Sequence, residues 1–254
     1  MDAATFRFYK ELNDFLPPDR RGQRFAAQFK GSPGIKDIIE SLGVPHTEVD
    51  VVLVNQTSVD FKYRLRPGDD VAVYPVFESF DITPILRLWP EPLRKTAFIG
   101  DVHLGRLCRM LRLAGFDTLY RNDYDDREIV RIAKEEGRIV LTRDRELLKR
   151  TAVARGYCVR SSDWREQVRE VTDRFDLSNN IRPFTICAEC NGKISPVDKS
   201  EIVDKLQEKT RLYYDRFSRC LSCGKIYWEG SHYEKLLEFI SKISKSQIPK
   251  IENS

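Results

Sequence analysis

Residues 96–115 read Thr-Ala-Phe-Ile-Gly-Asp-Val-His-Leu-Gly-Arg-Leu-Cys-Arg-Met-Leu-Arg-Leu-Ala-Gly. Thr96 to Gly100 is a short, mostly apolar run closed by Asp101. That is the pattern of a buried parallel strand delivering a carboxylate to the open end of a sheet. A helix follows. Leu104, Leu107, Cys108 and Leu111 recur at three- and four-residue spacing and mark its buried stripe, with Arg106, Arg109 and Arg112 assigned to another face. An acid at a strand tip beside a basic helix suits Mg²⁺ or Mn²⁺ together with phosphates, and so points to a metal-dependent nuclease site.

Downstream the alternation continues. Asp117 to Tyr120 reads as a strand, Asp126 to Glu136 as a helix, Gly137 to Leu141 as a strand and Asp144 to Arg150 as a helix. Tyr157 to Val159 is a further strand and Asp163 to Phe175 a further helix. Strand and helix repeats of this length predict an α/β fold over residues 96–180, a parallel sheet with helices on both faces. Each strand is followed within a few residues by acid: Asp101, then Asp123, Asp125 and Asp126, then Asp144, then Asp163. Taken singly, Asp126, Asp144 and Asp163 read equally as helix N-caps; Asp101 does so less readily, because Leu104-Gly105 makes a poor early helix. Four in succession favour a shared cation.

Upstream, residues 1–78 read as a small mixed domain. Thr5 to Tyr9 alternates as a strand, and Ser32-Pro33-Gly34 opens a helix with Ile35, Ile38, Ile39 and Leu42 toward a core. Asp50 to Val54 and Ser58 to Tyr63 are strands, and Pro67-Gly68-Asp69-Asp70 is a turn before Val71 to Phe77. This order resembles the ubiquitin-like β-grasp fold. The segment ends Val73-Tyr74-Pro75-Val76-Phe77, without the Gly-Gly tail by which sulfur and ubiquitin-like carriers are activated. A docking or regulatory role therefore stands beside a purely structural one. Residues 79–95, with Pro84, Pro90 and Pro92, read as a stiff linker.

Residues 181–254 hold two knuckles, Cys187-Ala-Glu-Cys190 and Cys220-Leu-Ser-Cys223, each followed closely by glycine. Four thiolates at this spacing make a closed, structural zinc site. Cys108 and Cys158 fall in apolar positions and read as core. Ser231 with Glu234 forms a capping box for a final helix through Leu236, Leu237 and Ile240. Tyr227, Trp228 and Tyr233 suit either base stacking or core packing.

The 254 residues carry a net charge of +4, unevenly spread. Residues 1–78 hold 10 basic and 12 acidic side chains, against 19 and 15 in residues 94–180 and 13 and 10 in residues 181–254. A polyanion would therefore meet the last two segments. No apolar run approaches a membrane span and no secretion signal opens the chain, so a soluble, cytoplasmic protein is expected. Gly100-Asp101-Val102-His103 invites comparison with metallophosphoesterases. Those need several more histidines, and this chain has only His46, His103 and His232.

Four strings carry a more specific resemblance: Asp101 to Arg112, Gly115-Phe116-Asp117-Thr118, Asp125 to Ile129, and Leu141-Thr142-Arg143-Asp144. With Cys220 to Tyr233, they make residues 96–240 similar to the PIN-like ribonuclease family named after the C-terminal domain of the Mut-seven exonuclease homologue. The β-grasp segment is similar to one often joined to it. The resemblance implies a nuclease whose acids hold divalent metal, with Asp101, Asp126 and Asp144 as ligands, Thr142 supporting, and Glu128 and Asp163 as further candidates. Arg106, Arg109, Arg112 and Arg143 would contact RNA. The expectation is a Mg²⁺- or Mn²⁺-dependent ribonuclease with structural Zn²⁺ at Cys187, Cys190, Cys220 and Cys223. The alternative is a non-catalytic RNA-binding module whose β-grasp domain recruits a protein.

Overall fold

Alternating apolar residues of β1 (Asp2–Phe8) bury Ala4, Phe6 and Phe8 on one side, and the rest of the N-terminal sheet is built on that strand. In the computed structural model, which describes residues 1–75 and 96–243, β1 pairs antiparallel with β2 (Phe25–Phe29) and parallel with β5 (Asp70–Tyr74). Next to β5 lies β3 (Val51–Val54), which turns through Asn55 and Gln56 into β4 (Thr57–Val59). Both turn residues take positive φ, 49° and 69°, the twist that a two-residue hairpin requires. The order β2-β1-β5-β3-β4, with a parallel central pair, is the β-grasp topology expected for this segment. Helix α1 (Ile35–Ser41) sets Ile35 and Ile39 into the core with Phe6, Val52 and Val73, all fully buried. Each such side chain contributes about 1.5–3 kcal/mol of burial free energy. Residues 79–95, read as a linker, lie outside the described residues.

The chain divides into two compact units. The first joins residues 1–95 to residues 125–158. Its second part carries α3 (Asp126–Glu136), β8 (Ile139–Thr142), α4 (Arg145–Lys149) and β9 (Gly156–Cys158), with β8 and β9 parallel. The β-grasp part seats a short turn at His46–Glu48 against this segment. His46 Nδ1 lies 2.6 Å from Glu40 Oε1, and Nε2 lies 2.9 Å from the carbonyl of Val153. The fully buried Glu48 carboxylate accepts from the N–H of Cys158, and the Arg145 guanidinium lies over the Phe15 ring at 4.8 Å.

The second unit comprises residues 96–124 and 159–254. Here β6 (Phe98–Gly100) pairs in parallel with β7 (Thr118–Leu119), and α2 (Gly105–Leu113) packs with α5 (Trp164–Arg174). Gly100 lets α2 approach β6, because a Cβ there would sit 2.2 Å from Cys108 Sγ. Gly115 combines φ of +97° with a carbonyl, that of Arg182, 2.3 Å from where its Cβ would stand. The C-terminal part is an antiparallel ribbon of β10 (Ile194–Val197), β11 (Phe217–Cys220) and β12 (Ile226–Trp228). A short α6 (Glu208–Tyr213) precedes β11, and α7 (Ser231–Ile243) follows β12. The alternating strands and helices, with both strand pairs parallel, make the α/β architecture read from residues 96–180. No helix among the described residues is long and apolar enough to cross a membrane.

Candidate active site and metal centre

The two cysteine knuckles bring four sulfurs together. Sγ of Cys187 lies 3.6 Å from that of Cys223, and Sγ of Cys190 lies 3.4 Å from that of Cys220. All four ligand atoms fall within 4.8 Å of one another. Tetrahedral bonds of about 2.3 Å set neighbouring sulfurs about 3.8 Å apart, so the cluster has the size and donor chemistry for a thiophilic cation. None of the six cysteines forms a disulfide. Burial works to raise the Cys220 thiol, but the N–H groups of Cys223 and Ser222, 3.5 Å and 3.4 Å from its sulfur, hold it down at about 6. The Tyr227 hydroxyl accepts from the N–H of Ala188 and donates to Cys187 Sγ, both at 3.0 Å. Were the cysteines to hold a metal, that second bond would orient Cys187 from outside the coordination shell.

One arginine fastens the first knuckle to the α/β layer. Arg112 is 4% exposed; its Nε donates to the carbonyl of Thr118 at 2.7 Å, and Nη1 donates to those of Ala188 and Glu189 at 3.0 and 2.8 Å. Nη2 reaches the carbonyl of Tyr120 at 3.3 Å. Asn191 adds a second tie: its side chain accepts from Thr118 N at 2.9 Å and donates to Asp117 Oδ1 at 2.7 Å. The assignment of Arg112 to an RNA-facing surface is therefore corrected. A guanidinium spent on buried carbonyls is not available to phosphate.

Asp101 stands at the end of β6 and is 6% exposed. Its Oδ1 accepts from His103 N at 2.8 Å and caps a single turn, Val102–Leu104, that leads into α2. The cap was not expected of this residue. A 3-10 turn starts the helix, so Gly105 opens α2 proper. The side chain of His103 is exposed. Arg106 and Arg109 project from the same helix; the first lies over the Trp164 ring at 4.4 Å and the second lies 3.5 Å from Glu189.

The first unit carries the remaining acids. Asp125, rather than Asp126, caps α3, accepting from Glu128 N at 2.7 Å. Asp126 pairs with Arg150 at 2.7 Å. Asp144 caps α4 through Glu146 N at 2.8 Å, and its own N–H donates to Oγ1 of the fully buried Thr142 at 2.8 Å. Arg143 beside it is exposed. In the second unit, Asp163 caps α5. Among the described residues, the four cysteines are the group of three or more His, Cys, Asp or Glu whose ligand atoms lie within 4.8 Å of one another.

A family model described as the Mut7-C RNAse domain matches residues 96–240. The chain belongs to the Mut7-C RNAse family. A second model, Mut7-C ubiquitin, matches residues 1–81, the β-grasp segment and its exit. No curated protein and no solved structure matches the chain. The two models name what the strings around Asp101 and Asp144 resemble, and they place a ubiquitin-like and an RNAse domain in one chain.

Within this Mut7-C RNAse domain, sequence reasoning missed the burial of Arg112, the hydroxyl of Tyr227 and the basic side chains of α5. Arg112 is four residues beyond Cys108 and eight beyond Leu104, a spacing that places it on the buried stripe despite its charge. Of the aromatics, Tyr227 reaches the cysteines, Tyr233 packs on Phe184 with ring centres 4.2 Å apart and planes tilted by 30°, and Trp228 stays 40% exposed.

Proposed function

We propose that this chain is a divalent-metal-dependent ribonuclease acting in the cytoplasm. Asp101 carries the reading. It is a nearly buried carboxylate at a parallel strand's end, followed at once by the arginines of α2, in a domain of an RNase family. Asp101, Asp126 and Asp144 would hold Mg²⁺ or Mn²⁺, with Glu128 and Asp163 as further oxygen donors and Thr142 keeping Asp144 in place. Such an ion supplies an activated water and neutralises charge on the attacked phosphate. The protein's own part is to position: Arg106, Arg109 and Arg143 bind the phosphates flanking the scissile bond through forked hydrogen bonds. The four cysteines would hold Zn²⁺ with no open position, which fixes the ribbon and leaves it no part in hydrolysis. Cysteines without disulfides fit a reducing compartment. The β-grasp domain would dock a protein partner on surface other than the face holding His46 and Glu48, since that face is buried.

A second reading is RNA binding without cleavage. It is favoured by the capping bonds of Asp101, Asp144 and Asp163 and by the pairing of Asp126 with Arg150, each of which accounts for its acid structurally. One experiment separates the two. Full-length protein is incubated with labelled RNAs in Mn²⁺ or Mg²⁺, alongside Asp101→Asn and Asp144→Asn. The nuclease reading expects cleavage by the parent, none by either variant, and unchanged RNA binding by both. Binding with no cleavage of any RNA by the parent overturns it.

A further inference from the structure

The helices α2, α5 and α7 enclose a cavity of about 950 Å³ in the second unit. Each helix presents two cations to it: Arg106 and Arg109, Arg165 and Arg169, Lys235 and Lys242. The spacings are three, four and seven residues, each of which returns to one helix face. Glu238 is the acid in the lining, and it is bonded to Lys242 at 2.8 Å. Arg109 and Arg169 have carboxylates of their own in Glu189 and Glu166. Arg106, Arg165 and Lys235 have none among the described residues.

Aromatic side chains in the lining hold two of these charges. Guanidinium carbons of Arg106 and Arg165 both lie 4.4 Å from the centre of the Trp164 ring, which itself packs on Phe239 at 5.1 Å. Cation–π contact with the ring holds both guanidiniums in place without using their N–H groups, which remain able to bind oxygen acceptors. Tyr120 lines the same cavity and donates its hydroxyl to the carbonyl of Val102 at 3.1 Å, so the cavity reaches the residue after Asp101. Several like charges held together in a concave site repel one another unless a polyanion neutralises them.

We infer that the α2–α5–α7 cleft binds the phosphodiester backbone of single-stranded RNA entering or leaving Asp101, with Arg165, Arg169 and Lys235 as phosphate-binding residues in addition to those of α2. The inference rests on the proposed ribonuclease reading for its substrate and deepens it by assigning the strand's path. A cavity of this volume is at the upper end of the range for small-molecule clefts, about 300–1,000 Å³, which admits a few nucleotides of one strand and not a duplex.

The test is equilibrium binding of a fluorescein-labelled uridine 12-mer to the full chain in EDTA, measured by anisotropy across a salt series. Arg165→Gln, Arg169→Gln and Lys235→Gln are combined in one variant; all three side chains are exposed, and the melting temperature checks that the fold survives. The dissociation constant is expected to rise at least tenfold, and the slope of log affinity against log salt to flatten by about 2, near 0.7 for each phosphate no longer neutralised. A control triple variant, Lys10→Gln, Arg20→Gln and Lys62→Gln, changes charge equally and is expected to bind as the parent does. Parental affinity in the first variant overturns the cleft, as does equal loss in the control or equally tight binding of a 12-base-pair RNA duplex. Because the readout needs no cleavage, a parent that binds but never cuts sinks the nuclease reading alone. A triple variant that binds and cuts normally sinks the cleft alone.

Discussion

His46 Nε2 lies 2.9 Å from the carbonyl oxygen of Val153, 107 residues further along the chain, while Nδ1 faces Glu40. An oxygen therefore sits at each ring nitrogen of a side chain that is almost wholly buried. Through this contact and that of Glu48 with Cys158, the β-grasp segment is built into the same unit as β8 and β9. His46→Ala removes the ring from between the carbonyl of Val153 and the half-buried carboxylate of Glu40, so a loss of about 2–4 kcal/mol is expected in urea unfolding. Glu48→Gln keeps an acceptor for Cys158 N and is expected to cost less. An effect of His46→Ala within error of zero would show the contact to be incidental.

Arg112 gives a second prediction. Replacing it with Met preserves bulk but strips hydrogen-bond partners from the carbonyls of Thr118, Ala188, Glu189 and Tyr120. Removing one side of so buried a charged network costs about 3–5 kcal/mol. The variant is expected to melt well below the parent and to release metal from the cysteines faster. Arg109→Met, from an exposed position, should do neither.

For the metal centre, one zinc per chain is expected by elemental analysis, with none retained by Cys187→Ser combined with Cys220→Ser. Tyr227→Phe deletes the hydroxyl that serves Cys187 and Ala188. Loss of an outer-shell partner typically lowers metal affinity about 10–100-fold, and competition with a chromogenic chelator reads it directly. Equal affinity in Tyr227→Phe would reduce that hydroxyl to packing.

Cys108 supplies a pH prediction. Burial, with a smaller contribution from Asp101, pushes its thiol from 9.0 up to about 12. At pH 8 it should resist iodoacetamide in the folded protein and react after denaturation. Because the folded value is the higher one, stability from the retained proton is whole below pH 9 and is lost as pH rises toward 12. Cys108→Ala should therefore lose less stability than the parent between pH 9 and 11. A steeper loss in the variant would contradict the assignment.

Much of this architecture was legible because it is written locally. The alternation of Thr5 to Tyr9, the turn at Pro67 to Asp70 and the stripe from Leu104 to Leu111 each fix an element within a few residues, and the paired knuckles announce their own ligand set. The acids were legible as helix starts and as metal donors alike, and a capping bond uses one carboxylate oxygen, so spacing alone does not separate the roles. The long-range contacts of His46 and Glu48 gave no signal, since Val153 and Cys158 lie more than a hundred residues away and meet them through backbone groups, which any residue type supplies. The cleft is not legible in the sequence for a related reason. Arg165, Arg169 and Lys235 look like ordinary solvated charges until three helices from distant parts of the chain face one another.

The joining of residues 1–95 to residues 125–158 has a consequence for biosynthesis. When the β-grasp sheet has left the ribosome, the partners of His46 and Glu48 have yet to be translated. At about 5–20 residues per second, the interval is on the order of 5–20 s. The nascent chain therefore carries an uncovered acidic and aromatic patch through early synthesis, and a release there would yield a fragment that chaperones or proteases can recognise.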